Sequence, residues 1–347
     1  MELALYDSAH GYYGSGTPPL GRSGDFYTAS DVGRAFGRCI ARQLIEFDSV
    51  AGPLDPFVVL EFGGGRGLLA RDVLDAAASL DPEFAARMRY LLVDRSPAMR
   101  EVARTNAPEA QVLAPEELTG GHCGAVLAVE LFDALPVCRV RREQGELLEV
   151  RVGLDDEGRL VETEQAPGDE LREAAMERGA AEEEGTEAEI ALGLSTQLES
   201  MAAALERGLM LIVDYGDQAR HLYSRPRGTL LAYHRHTTNE AYLEHVGDQD
   251  LTAHVDFSCL ERAAVALGLD RLALTTQDRF LVANGILEAF EGEAAHGRPG
   301  VPEVKQRLQA MQLIHPEGMG RIFKVLALSK GCRPTPVLAG LKDPFAR

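Results

Sequence analysis

Short, wholly apolar runs alternate with amphipathic stretches along most of this chain. Phe57 to Leu60, Tyr90 to Val93, Ala125 to Val129 and Gly208 to Val213 are apolar at almost every position. Runs of that length and type suit strands buried on both faces, as in a parallel sheet covered by helices. Ala110 to Leu113 predicts a weaker strand, and Arg271 to Leu274 and Ile322 to Leu328 predict two more. Helical spacing links Val32, Phe36, Cys39, Ile40 and Leu44 in a helix from Val32 to Phe47, with Asp31 as its N-cap. Leu68, Leu69, Val73 and Leu74 recur in the same way, and further helices are predicted at Leu192–Leu205, Asp256–Leu267, Asp278–Phe290 and Val301–Gln312. Val137–Arg142 and Glu146–Val152 predict a hairpin around Gly145.

The ends of the apolar runs carry the chemistry. The first stops at Glu61 and opens into Gly63, Gly64, Gly65 and Gly67 before the helix begins. Strand, glycine turn and helix form the opening unit of a nucleotide-binding α/β domain. Glycine lets the backbone take positive φ and approach a ligand closely, and the helix N-terminus presents free N–H groups. The dinucleotide spacing G-x-G-x-x-G fails, because Leu68 stands where its third glycine belongs. What fits is E-x-G-x-G-x-G, formed by Glu61, Gly63, Gly65 and Gly67, which resembles the first motif of Rossmann-like S-adenosylmethionine (SAM) methyltransferases. A carboxylate there suits a cationic amino acid better than a pyrophosphate. The alternative is a glycine-rich turn without a ligand. The second run ends in Asp94, followed by Ser96 and Pro97 as N-cap and first residue of a helix. An acid at that strand end can hold a ribose diol, or serve only as a turn residue. The run ending at Val129 is followed by Glu130, so three strand ends carry acids that would repel one another unless something positive binds.

Composition narrows the picture. The chain has 347 residues, 45% hydrophobic and 26% charged, enough for one large domain or two smaller ones. No apolar run has the length of a membrane span. The N-terminal residues resemble neither a secretory signal nor a transit peptide. Five scattered cysteines, Cys39, Cys123, Cys138, Cys259 and Cys332, without C-x-x-C, fit reduced thiols in a cytoplasmic protein. No two of the nine histidines make an H-x-x-x-H pair, so no metal site is expected. A net charge of −19 argues against a nucleic-acid partner. Much of that charge lies in residues 155–189, where 14 acids face 3 arginines. This stretch is expected to be a solvated insertion, or alternatively a dock for a basic partner. Residues 217–255 lack periodicity and hold His221, His234, His236, His245 and His254.

Eight segments together resemble the MidA-like methyltransferases, whose mitochondrial members assist assembly of respiratory complex I. They are Leu5–Tyr13, Gly24–Ser30, Leu60–Gly67, Leu91–Arg100, Val129–Val137, Val213–Gly216, Asp250–Phe257 and Met319–Leu328. Two departures stand out: the family has Asn-Glu where this chain has Val129-Glu130, and Pro-Glu where it has Ser30-Asp31. The resemblance implies an α/β fold, the Rossmann-like class I methyltransferase with a seven-stranded sheet. Residues 1–50 would be an N-terminal extension or lid, and 51–330 the methyltransferase domain. Insertions would fall at about 155–189 and 217–255, the second on the substrate side, with 331–347 as a C-terminal tail.

The implied cofactor is SAM, held by Glu61, Gly63, Gly65, Gly67, Asp94, Glu130 and Thr28. Thr28 belongs to the aromatic cluster Gly24–Thr28, read as a cofactor lid or as an apolar plug over the sheet edge. The implied acceptor is an arginine side chain of a protein. Carboxylates that hold a guanidinium in a fork favour its attack. Glu130 and Asp133 are the candidates, although Asp133 could simply cap a short helix. His254 is a candidate base, with Asp250 and Asp256 beside it in sequence, or else a structural histidine. Two other readings stay open. One is a small-molecule O- or N-methyltransferase, which Val129 supports. The other is a non-catalytic SAM-binding assembly factor.

Overall fold

The computed structural model describes residues 1–15, 32–234, 237–291 and 301–345. It divides into two compact units, described separately. Strands are numbered in chain order.

The larger unit comprises residues 27–131, 199–215 and 264–347. Its sheet contains β1 (Phe57–Phe62), β2 (Met88–Val93), β3 (Gln111–Leu113), β4 (His122–Val129), β9 (Leu205–Asp217), β14 (Asp270–Thr276) and β15 (Phe323–Lys330). The order is β14-β15-β9-β4-β1-β2-β3. β3, β2, β1, β4 and β9 run parallel, while β15 runs antiparallel to both β9 and β14. These seven follow the expected seven-stranded arrangement, and a two-residue strand off that path, β13 (Val255–Asp256), pairs parallel with the end of β9 at Gly216 and Asp217. All six residues of β1 are buried, which explains its unbroken apolar run.

The helices Arg34–Ala51 and Leu68–Leu80 pack closely where a Cβ on Gly37 would lie 2.6 Å from Asp72 Cβ. Phe47, Phe57 and Phe84 form a chain of edge-on rings in the core, with centroids 6.4 and 4.9 Å apart. The helix expected over Val32–Phe47 is displaced to Arg34–Ala51, and Asp31 lies outside the described residues. The helix expected at Asp278–Phe290 is two pieces, Gln277–Ala283 and Glu288–Glu291, parted where Gly285 takes φ 82°.

The smaller unit comprises residues 1–26, 132–198 and 216–263. β5 (Cys138–Glu143), β6 (Glu146–Leu154), β7 (Leu160–Gln165) and β8 (Glu187–Ile190) form an antiparallel sheet in the order β7-β6-β5-β8. β5 and β6 are the expected hairpin. β7, β8 and the helix Asp169–Arg178 lie in the stretch expected to be solvated. The stretch is folded, with most of its positions exposed and Leu171, Ala175 and Ala188 buried beside Val140 and Ile190.

Arginines outside the acidic window offset its charge. Arg139 and Arg141 on β5 pair with Glu162 on β7 and Glu187 on β8, and Arg141 also reaches Glu164. Glu184 accepts from Gln144 N at 2.6 Å and Gly145 N at 3.0 Å, pinning the β5–β6 turn. Glu189 is buried and accepts from Thr229 N at 2.6 Å and Oγ1 at 3.1 Å.

β10 (Leu231–His234), β11 (Thr237–Asn239) and β12 (Asp250–Thr252) make a second small sheet within the segment that lacked periodicity. The N-terminal residues pack on it, with Leu5 and Tyr12 buried against Ala232 and Leu251. Residues 1–50 are therefore not one extension. The first fifteen join the smaller unit, whereas Arg34–Ala51 covers the large sheet.

The arginine network yields a stability prediction. Arg139 is 14% exposed, and Arg139→Leu leaves Glu162 and Glu187 sharing Arg141 as their described cation, with the Tyr242 hydroxyl still on Glu162. The expected cost is on the order of 3 kcal/mol, read as a fall in urea midpoint. An unchanged midpoint would show that these acids are held by solvent.

Candidate functional site

The turn after β1 takes positive φ at every second residue. Gly63, Gly65 and Gly67 have φ of 70°, 51° and 74°. Only glycine tolerates this repeatedly, which is why the spacing is G-x-G-x-G. The backbone is tied down on its inner side: Gly63 N donates to Val93 O at 2.8 Å, and Gly67 N donates to Gly64 O at 2.9 Å. A Cβ on Gly63 would lie 2.8 Å from Leu131, one on Gly64 2.3 Å from Leu92, and one on Gly67 3.1 Å from Ala103. Gly65 differs. Among the described residues, a Cβ there would meet only Gly63 O, at 4.0 Å. The turn is packed from beneath and open at Gly65.

Asp94 locks this turn to the next strand. Its Oδ2 accepts from Gly65 N at 2.9 Å and its Oδ1 from Ser96 N at 2.8 Å. Each oxygen retains a lone pair for a further donor. Burial raises the Asp94 carboxyl above the usual range, against the two backbone N–H bonds that lower it. Ser96 caps the following helix as expected, and Pro97 is its first residue.

Glu61 is 4% exposed and accepts from Tyr90 Oη at 2.8 Å. Burial pushes its carboxyl up to about 8, the Tyr90 bond pulls it down, and the charge on Asp94 adds to the rise. Glu130 follows β4 with φ 52°, unusual for a residue with a side chain, and its N donates to Val213 O at 2.9 Å.

Parallel pairing brings these acids to one edge. β2, β1, β4 and β9 are consecutive in the sheet and run the same way. In that order they present Asp94, Glu61, Glu130 and Asp214 at their carboxyl ends. Asp214, fully buried, was not among the expected site residues. Its signal was the one already used for the others, an acid closing a buried apolar run. Ligands of open α/β sheets bind at this edge, and four carboxylates there favour a cation.

The remaining expected residues belong to the smaller unit, except Thr28, which lies outside the described residues. Asp133 is buried, and its carbonyl accepts from Ala253 N at 3.0 Å. Asp250 accepts from Tyr13 Oη at 2.9 Å. Burial, then the charge of Asp250, holds Tyr13 far above its ordinary range, with Asp133 adding to it. His254 Nδ1 lies 3.4 Å from Arg225 Nη1, and its backbone N donates to Thr229 Oγ1 at 2.9 Å. Asp256 accepts from Cys259 N at 3.0 Å, at the start of the helix Phe257–Ala266, and from Tyr223 Oη at 3.2 Å.

A family model for S-adenosyl-L-methionine-dependent methyltransferases matches residues 39–275. The chain belongs to this family. Its relatives include a mitochondrial protein arginine methyltransferase of Drosophila melanogaster, the NDUFAF7 homolog. That protein is 28% identical over 99% of this chain and 82% of its own length. The mouse protein arginine methyltransferase NDUFAF7 is 27% identical over 94% of this chain and 79% of its own. A Burkholderia thailandensis protein solved with S-adenosyl-homocysteine superposes with a TM-score of 0.85 at 31% identity, covering 98% of this chain and 88% of that one.

The chain is thus a MidA-like SAM-dependent methyltransferase with SAM as its cofactor. The sheet edge fits that cofactor on its own terms. The glycine turn leaves space where a Cβ would stand, and the acids around it match a ligand with a sulfonium and an ammonium.

This geometry predicts the effect of filling the space. SAM at about a hundred times its Kd should raise the melting temperature of the wild-type chain by several degrees. Gly65→Val, which occupies the open side of the turn, should abolish that rise, and NAD should produce none in either protein. A rise with NAD but not with SAM would contradict this reading of the turn.

Proposed function

We propose that this methyltransferase transfers the methyl group to an arginine side chain of a protein. The observation that carries the proposal is the row of carboxylates at the sheet edge. A guanidinium is a delocalised cation that carboxylates orient bidentately. The names of the fly and mouse relatives as protein arginine methyltransferases support the same substrate class.

Within this reading, Glu61 faces the amino acid end of SAM, and Asp94 receives the ribose diol on its unused lone pairs. The backbone of Gly63, Gly65 and Gly67 passes beneath the cofactor. When bound, SAM supplies a methyl carbon activated by its sulfonium. The chain's own task is to align a nitrogen lone pair with that carbon and to exclude water. Glu130, held at positive φ on the strand end, is proposed to orient the guanidinium. Asp133 and His254 are proposed to serve the acceptor, Asp133 as a second carboxylate and His254 as the base that takes the departing proton.

The test is methyl transfer from radiolabelled SAM into lysate of the source organism. Labelled protein that releases methylated arginine on acid hydrolysis is expected. Label confined to extracted small molecules would overturn the proposal in favour of a metabolite acceptor, and no label at all would favour a non-catalytic factor. Asp133→Asn should slow single-turnover transfer roughly 30- to 1000-fold while leaving SAM affinity nearly unchanged, since a lost partner for a cation in a dry site costs on the order of 2–4 kcal/mol.

A further inference from the structure

Glu61 stands one residue before the end of β1, on the face that Phe57 and Val59 bury in the core. A carboxyl there must be hydrogen-bonded or neutral. Its described partner is the hydroxyl of Tyr90, itself 2% exposed. Tyr90 stands opposite Val59 in the β1–β2 ladder, two residues short of Glu61, so its side chain reaches along the sheet to that carboxyl. Among the described residues, Asp94 after β2 is the charged group that acts on Glu61, and Asp72 lies on the helix Leu68–Leu80 that packs on this core. Asp72 is buried and held by Arg71 at 2.7 Å, with Arg34 at 3.9 Å. No described cation is paired with Glu61. Among the described residues, the hydroxyl of Tyr90 supplies the hydrogen bond that can steady its ionised form.

We propose that Tyr90 is a positioning residue for the methyl donor: its buried hydroxyl holds the Glu61 carboxyl in the place that receives the donor's cationic end and steadies the anion that forms there. The inference rests on the reading of Glu61 as a cofactor residue and extends it to a residue that does not touch the cofactor. It has a chemical consequence. Glu61 without a cation keeps its proton at neutral pH, because burial carries it from the ordinary 4.5 to about 8. Bringing the donor's positive end against it favours the carboxylate. The O–H bond of Glu61 then breaks, its electron pair stays on the carboxylate, and one proton leaves to solvent for each donor bound.

The sign follows from linkage. Because the free protein holds this proton below about 8 and the complex has lost it, donor affinity rises with pH up to about 8, by up to about tenfold per unit. Tyr90 donates to the anion and so favours ionisation. Removing its hydroxyl weakens binding and moves the rise to higher pH.

The experiment is titration calorimetry of the full chain with SAM at pH 7, in phosphate and in Tris, whose heats of protonation differ. It is repeated between pH 5.5 and 7.5. The wild-type chain should release close to one proton. Tyr90→Phe should bind about ten- to a hundredfold more weakly at pH 7, the effect of one hydrogen bond to a charged group, with its affinity curve displaced upward in pH. Glu61→Gln should bind weakly, release no proton and show a flat profile. If Tyr90→Phe reproduces the wild-type affinity and pH profile, Tyr90 has no positioning role. If Glu61→Gln binds normally, the cofactor reading of Glu61 fails instead. The proton count of the wild-type chain needs no variant, and a count of zero would overturn the inference even if Tyr90→Phe does not fold.

Discussion

Four carboxylates at the ends of four neighbouring parallel strands impose the main constraint on this protein. Asp94, Glu61, Glu130 and Asp214 lie side by side in the order β2, β1, β4, β9. Like charges so placed raise one another's pKa and destabilise the edge. The fold answers in several ways. Asp94 takes two backbone N–H bonds. Glu61 is buried beside a tyrosine hydroxyl and held neutral near pH 7. Asp214 is sealed in the core, its Oδ1 accepting from Tyr215 N at 2.9 Å. The edge thus has a standing preference for positive charge, which a sulfonium cofactor satisfies.

The glycine turn and this row of acids depend on each other. Alternate positive φ values turn the chain sharply from β1 into the helix, and among the described residues the turn is open at Gly65. The Asp94 carboxylate holds Gly65 N, so a residue on one strand sets the shape of the loop leaving its neighbour. Loss of Asp94 would therefore disturb the turn as well as remove a carboxylate. Placing the donor this firmly is what an in-line displacement requires, since alignment accounts for much of the barrier reduction.

The sheet was legible in the sequence because its signals are local. Buried parallel strands appear as unbroken apolar runs, and the acids that close Phe57–Leu60 and Tyr90–Val93 stand directly after them. The same rule, applied to Gly208–Val213, would have added Asp214. The smaller unit was harder to read because its order comes from distant partners. Residues 155–189 look solvated when their charge is counted alone. Arg139 and Arg141, which pair with Glu162, Glu164 and Glu187, precede that window. The strands β10, β11 and β12 have four, three and three residues, too short for alternation to show. Residues 1–15 gave no sign that Leu5 and Tyr12 pack on strands more than two hundred positions away.

The central claim is that the acid-lined edge of the large sheet is the methyl-donor site. A crystal structure of this chain with S-adenosyl-homocysteine tests it most directly. The ribose hydroxyls are expected within hydrogen-bond distance of the Asp94 carboxylate, the ligand's backbone over Gly65, and its amino group on the side of Glu61. A ligand seated away from the carboxyl ends of β1 and β2, or one whose ribose leaves Asp94 untouched, would contradict it.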